Sequence, residues 1–141
     1  MTVDFKHTVE IARPAADVFA YIADAENNPK WQNGMVSCTW TSDEKLLKGA
    51  TIAQEARFLG RAIVTTFVVT DYQPGRSISI ESIVSTFPIQ VTRSVESTGA
   101  GCVVTAHVRG QPSGLLKLFS GMVPKAVRKD YDALKVLLES A

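Results

Sequence analysis

Cysteine is scarce in this chain of 141 residues: only Cys38 and Cys102 occur, far apart and outside any CxxC or Cys/His spacing. Neither a disulfide framework nor a structural zinc site is indicated. Histidine is as scarce, with His7 and His107 alone and no HxH or HExxH pattern, so no metal site is expected. Charge of one sign is missing too. Fifteen basic against fourteen acidic residues leave a net charge of +1, which gives no global field for nucleic acid, and no nucleic-acid partner is expected. A phosphate loop is absent, since Gly99-Ala100-Gly101 sits between strand patterns and opens no helix. There is no G-x-S-x-G, and Ser113-Gly114 follows a proline rather than a strand. Covalent and metal catalysis drop out, and no cofactor is expected. No apolar run approaches the roughly 18 residues of a transmembrane span, so stable membrane insertion is not expected. The start, MTVDFKHTVEIARP, lacks the apolar core of a signal peptide. A reduced, cytoplasmic setting is the expectation.

What is present points to a packed globule. Apolar residues make up 45% and charged residues 21%, with a mean hydropathy of +0.07, outside the range of disordered chains. The length suits one domain, 1–141, with one hydrophobic core. Val3, Phe5, His7, Val9 and Ile11 alternate with polar residues, the period of a half-buried strand. Arg13-Pro14 ends it, and Val18, Phe19 and Ile22 continue at helical spacing over 14–24. A further helical turn is expected around 26–31. From Val36 to Arg109, β-rich runs separated by turn residues predict six strands, near 36–41, 50–58, 61–72, 76–84, 87–96 and 102–109. Between 113 and 140, Leu116, Phe119, Val123, Val127, Tyr131, Leu134 and Leu138 recur every three or four residues, as in a long amphipathic helix. Pro124 inside it predicts a kink or break near Ser120-Gly121.

Strand, two short helices, six strands and a long helix make an α+β arrangement in which an antiparallel sheet curls around the C-terminal helix. The layout resembles the helix-grip fold of the START/Bet v 1-like (SRPBCC) superfamily, in its polyketide cyclase/dehydrase-like branch. The likeness is carried by Val9-Glu10-Ile11-Ala12-Arg13-Pro14-Ala15-Ala16-Asp17-Val18-Phe19 and by Asp24-Ala25-Glu26-Asn27-Asn28-Pro29-Lys30-Trp31. Phe58-Leu59-Gly60-Arg61, Asp71 to Arg76 and the Leu134 to Glu139 ending add to it. The resemblance implies a cavity between sheet and helix for a small hydrophobic ligand, with lipid carriers, hormone receptors and cyclases among its members. Fold alone does not choose between them.

Hairpin geometry passes side-chain facing from strand to strand. A tight turn at Leu59-Gly60 puts Ile52, Gln54, Ala56 and Phe58 on one face with Ile63, Thr65, Phe67 and Val69. A loop at 73–76 adds Ile78, Ile80 and Ser82, and a turn at Ser85-Thr86 adds Phe87, Ile89, Val91, Arg93 and Val95. For the last strand, a loop at 98–101 turns Cys102, Val104, Ala106 and Val108 inward, and a longer one turns in Val103, Thr105, His107 and Arg109. The first set is preferred because it is uniformly apolar, which leaves His107 outside.

The expected pocket wall therefore comprises Gln54, Phe58, Thr65, Phe67, Ile80, Ser82, Ile89, Val91 and Arg93 from the sheet, His7 from the first strand, and Phe119, Val123, Val127 and Tyr131 from the helix. Each polar member has two readings. His7 is a satisfied structural histidine or a cavity group. Arg93 holds a ligand carboxylate or pairs with Asp71 across the sheet. Gln54 and Ser82 are plain sheet residues or pocket groups. Binding or carriage of a lipid, isoprenoid or aromatic polyketide-like ligand is the first functional expectation. The alternative is a cofactor-free cyclase or dehydrase, with His7 as general base and Arg93 or Tyr131 stabilising an enolate. Asp24, Glu26, Asn27 and Trp31 are read as caps and a plug, or else as a lid. The surplus apolar residues from Leu115 to Val123, with Lys117, Lys125, Arg128 and Lys129, allow a packed helix, a dimer contact or transient contact with anionic lipid. Monomer and homodimer both remain open.

Overall fold

The computed structural model describes residues 3–58, 60–84, 88–111 and 121–140. Strand β1 spans Val3–Ile11, helix α1 Ala15–Ala23, and a 3₁₀ helix Ala25–Lys30. Six strands follow: β2 Met35–Trp40, β3 Thr51–Phe58, β4 Arg61–Gln73, β5 Ser77–Val84, β6 Ile89–Thr98 and β7 Gly101–Gly110. Helix α2 is Val123–Glu139. The strands form one antiparallel sheet in the order β1-β7-β6-β5-β4-β3-β2. This is the expected helix-grip arrangement.

The registers follow from the turns. Phe58 pairs with Arg61, Ile80 with Val91, and Thr98 with Gly101. The last pairing turns Cys102, Val104, Ala106 and Val108 into the core and leaves His107 on the outer face, hydrogen-bonded to Asp4 at 2.6 Å. One register differs from expectation. Val69 pairs with Ile80 as anticipated, but Asp71 meets Ser79 and Tyr72 meets Ile78, because Thr70 is an extra residue in β4. A bulge of this kind switches the facing of everything beyond it. Tyr72 thus turns inward to Phe19, at 6.0 Å between ring centroids, and Asp71 is exposed beside Gln73. The alternative of an Arg93–Asp71 pair is thereby overturned.

The core lies between the concave face and the helices. Ile11, Val18, Ile22, Val69, Cys102, Val104 and Leu134 are its most deeply buried side chains. Pro124 is not inside the helix as expected; it sits in the first turn of α2, where a missing amide costs nothing. Residues 113–120, expected as helix, lie outside the described residues. The far end of α2 is tied to the β1–α1 junction. The Ala12 amide donates to the Glu139 carboxylate (2.8 Å), and Arg13 donates to the Leu138 carbonyl (2.8 Å).

Candidate ligand site

Arg93 is the inward residue of β6 opposite Ile78 and Ala106, and the small Ala106 leaves its side chain room. One guanidinium nitrogen, Nη1, donates to the Ile22 carbonyl at the end of α1 (3.0 Å) and to Asn28 Oδ1 in the 3₁₀ helix (2.9 Å). The guanidinium carbon lies 4.9 Å from the centre of the Trp31 ring, within cation–π range. Asn28 in turn donates to Cys38 Sγ (3.8 Å), and the thiol donates to Gln54 Oε1 (3.7 Å). Burial pushes the Cys38 thiol up, against a smaller pull from Asn28 and Arg93.

Arg93 is only 8% exposed, yet among the described residues no carboxylate lies within ion-pair distance of it. Its Nε is buried without a hydrogen-bond partner among the described residues. Asp130 feels its charge from α2 but is bound elsewhere, accepting from the Asn33 amide at 3.1 Å. Burial raises the Asp130 carboxyl. Buried charges are ordinarily paired, because desolvation costs several kcal/mol per ion in proteins. Arg93 thus carries an unspent capacity for an acceptor.

Beyond Trp31 the site continues as a column of rings. Tyr131 meets Trp31 edge-on at 4.9 Å and His7 edge-on at 6.4 Å. His7 stacks on Phe5 at 6.4 Å, and Arg128 lies 5.1 Å from the centre of the Phe5 ring. Trp31 Nε1 and His7 Nε2 are both buried without partners among the described residues. Burial raises the Tyr131 phenol above its ordinary value, while Arg93 beside it draws it back.

A cleft of about 20 Å³ opens between α1, the 3₁₀ helix and the sheet, lined by Ile22, Ala23, Ala25, Asn28, Ile52, Gln54, Ile78, Ile80, Val91 and Arg93. That is room for about one water molecule. Of the expected wall, the cleft unites Gln54, Ile80, Val91 and Arg93. Thr65 and Phe67 are buried on the same sheet face without lining it. Ile89 and Val127 pack against the core, and Val123 is half-buried at the start of α2. The Ser82 hydroxyl is used locally, accepting from the Ile89 amide at 3.0 Å. His7 and Tyr131 lie on the α2 side, in contact with one another but not lining the cleft. Phe119 lies outside the described residues, as does the side chain of Phe58. Asn28 and the α1 residues were missed from the wall. Their signal was the Asp24 to Trp31 segment itself, whose one buried asparagine needs partners. A larger hollow, about 470 Å³, lies outside around Gly75, Arg76, Ser94, Glu96 and Thr105. No histidine, cysteine or aromatic residue lines it.

The family model described as "Polyketide cyclase / dehydrase and lipid transport" matches residues 2–139. No curated protein is similar in sequence. Among solved structures, a START superfamily protein from Mycobacterium smegmatis is similar at a TM-score of 0.73 and 16% identity, over 97% of this chain and 94% of that one. The di-domain aromatase/cyclase StfQ of the steffimycin biosynthetic pathway gives 0.76 and 15%, over 96% of this chain and 50% of its own. The Zhui aromatase/cyclase from Streptomyces sp. R1128 gives 0.68 and 17%, over 94% and 88%. At these identities the likeness is one of fold.

Proposed function

Since the chain belongs to the polyketide cyclase/dehydrase and lipid transport family, we propose that it binds a small hydrophobic ligand whose polar end carries an acidic or carbonyl oxygen. The observation behind this reading is Arg93: a buried cation without a carboxylate partner among the described residues, its Nε unspent at the wall of a cleft that is aliphatic apart from Asn28 and Gln54. An oxygen acceptor there supplies the missing hydrogen bond and a charge partner. The Trp31 and His7 nitrogens offer further sites along the same column. The cleft of about 20 Å³ is far below the roughly 300 Å³ of a ligand pocket. A ligand held by Arg93 therefore extends beyond this cleft.

Calorimetric titration with a medium-chain fatty acid and with the alcohol of equal length tests this. The acid is expected to bind at least tenfold more tightly, and Arg93→Gln is expected to erase the difference. Equal affinities for acid and alcohol in the parent chain would refute the role given to Arg93.

A second reading, cyclase or dehydrase activity, draws on His7. Its Nε2, without a partner among the described residues and beside the Tyr131 ring, is the group that would take a proton from a ligand. A linear poly-β-ketone analogue incubated with the parent and with His7→Ala distinguishes the two. Turnover lost in the variant, with binding retained, establishes catalysis.

A further inference from the structure

We propose that the end of the sheet from which α2 sets out docks on an anionic membrane surface. The direction of the elements defines that end. Helix α2 runs parallel to β1, with Tyr131 beside His7, Lys135 on the Glu10 carbonyl and Glu139 on the Ala12 amide. Its first turn therefore lies beyond the Val3 end of β1, which is also the Gly110 end of β7 and the Ile89 end of β6. The β3–β4 hairpin and the end of β5 close the same side.

Aliphatic side chains stand in solvent there. Val64 is 61% exposed, Ile83 58%, Val84 65% and Met122 47%. The first three form one patch. Val84 pairs with Thr66, Val64 is two residues along the same face, and Ile83 is the extra residue of a bulge between Ser82 and Val84. Arg57 and Arg61 on the β3–β4 hairpin, with Lys125 and Arg128 on the first turns of α2, are exposed at this end. Of its acids, Asp4 is engaged by His107 and Arg109; Glu55, opposite Val64, and Glu81 remain. The other end carries Asp17, Asp43, Glu44, Asp71 and Glu96 together with Lys45, Lys48 and Arg76, all exposed, and so has no comparable excess of cations.

Exposed aliphatics at an end that also exposes Arg57, Arg61, Lys125 and Arg128 are the composition of a surface that settles into lipid headgroups, where each cation near an anionic leaflet strengthens binding about fivefold. A second copy of the same end would oppose like charges, which argues against a symmetric dimer through this surface. The proposal is independent of what the cleft binds.

Flotation with vesicles tests it. The full chain is expected to float with vesicles of phosphatidylcholine and phosphatidylglycerol, to float poorly with phosphatidylcholine alone, and to release at high salt. Ile83→Asp with Val84→Asp should abolish flotation, and Arg61→Gln or Lys125→Gln should each weaken it about fivefold. Val136→Asp places the same change at an equally exposed aliphatic near the opposite end of α2 and should leave flotation unchanged. Absence of binding to anionic vesicles overturns the proposal, as does equal loss in Val136→Asp or full binding by the Ile83/Val84 variant. A concentration-dependent dimer, lost in that variant and without vesicle binding, overturns it in favour of self-association.

Discussion

The two ends of the sheet are built from different chemistry. Where α1 and the 3₁₀ helix pack, polar side chains tie separate elements together. Asp24 caps the 3₁₀ helix at the Glu26 amide (3.1 Å) and accepts from Trp40 Nε1 (3.0 Å), Asn27 donates to the Tyr21 carbonyl, and Arg93 joins β6 to both helices. At the other end aliphatics face water, and among the described residues Asp4 meets only His107 and Arg109 of the neighbouring strand β7. Stability and surface chemistry are therefore separable by position: substitutions at the helix end should unfold the protein, and those at the far end should change only what it touches.

The largest expected effect is Trp31→Ala. The ring lies between Arg93 and Tyr131 and is 5% exposed, so its removal opens a cavity worth about 3–5 kcal/mol. Urea denaturation monitored by circular dichroism measures this. A midpoint close to that of the parent would mean that Trp31 is a lid and not a strut, and the contrast between the ends would fail. Arg93→Ala comes next at about 3 kcal/mol, because it strands the Ile22 carbonyl and Asn28 Oδ1, each costing about 1–3 kcal/mol when unpaired. A stabilised Arg93→Ala would instead show that the unspent cation costs more than its hydrogen bonds return.

The contrast also marks what the sequence could and could not reveal. Strand facing was legible because turn length and period two leave few options: the inward set Cys102, Val104, Ala106 and Val108 follows from one hairpin. The Thr70 bulge was not legible, since one extra residue leaves no mark in an alternating pattern, and so one of the two readings of Arg93, the pair with Asp71, failed. Inward position was readable for His7, Gln54 and Arg93. Which of them share a wall depended on Trp31, whose ring fills the space between Arg93 and Tyr131. Tertiary packing of that kind has no periodic signature.

Asp24→Ala should be milder, about 1–2 kcal/mol, the usual cost of a lost N-cap with the Trp40 indole left to find water. Asp24→Asn keeps both acceptor bonds and should recover most of the loss. If the asparagine variant is as unstable as the alanine one, the negative charge itself is what matters at this position.

The smallest effect compares the ends through one carboxylate each. Glu139 is held below its usual 4.5 by the Ala12 amide first and Lys135 second, and Asp4 below its usual 3.8 chiefly by the His107 hydrogen bond. A lowered folded-state value means that the charged form is favoured by folding. The stabilisation is fully present above the unfolded value and is lost as pH falls through the folded one. Glu139→Gln and Asp4→Asn should thus each lower stability at neutral pH and flatten its fall as pH drops below the usual carboxylate value, so that variant and parent converge in acid. Both groups are exposed, so added salt should shrink either effect. Only Glu139 fastens a helix to the sheet. Amide exchange on α2 should accordingly accelerate in Glu139→Gln and not in Asp4→Asn, and equal exchange in the two would place the anchor of α2 in the Tyr131 and Leu134 packing and in the Arg13, Lys135 and Asp130 bonds.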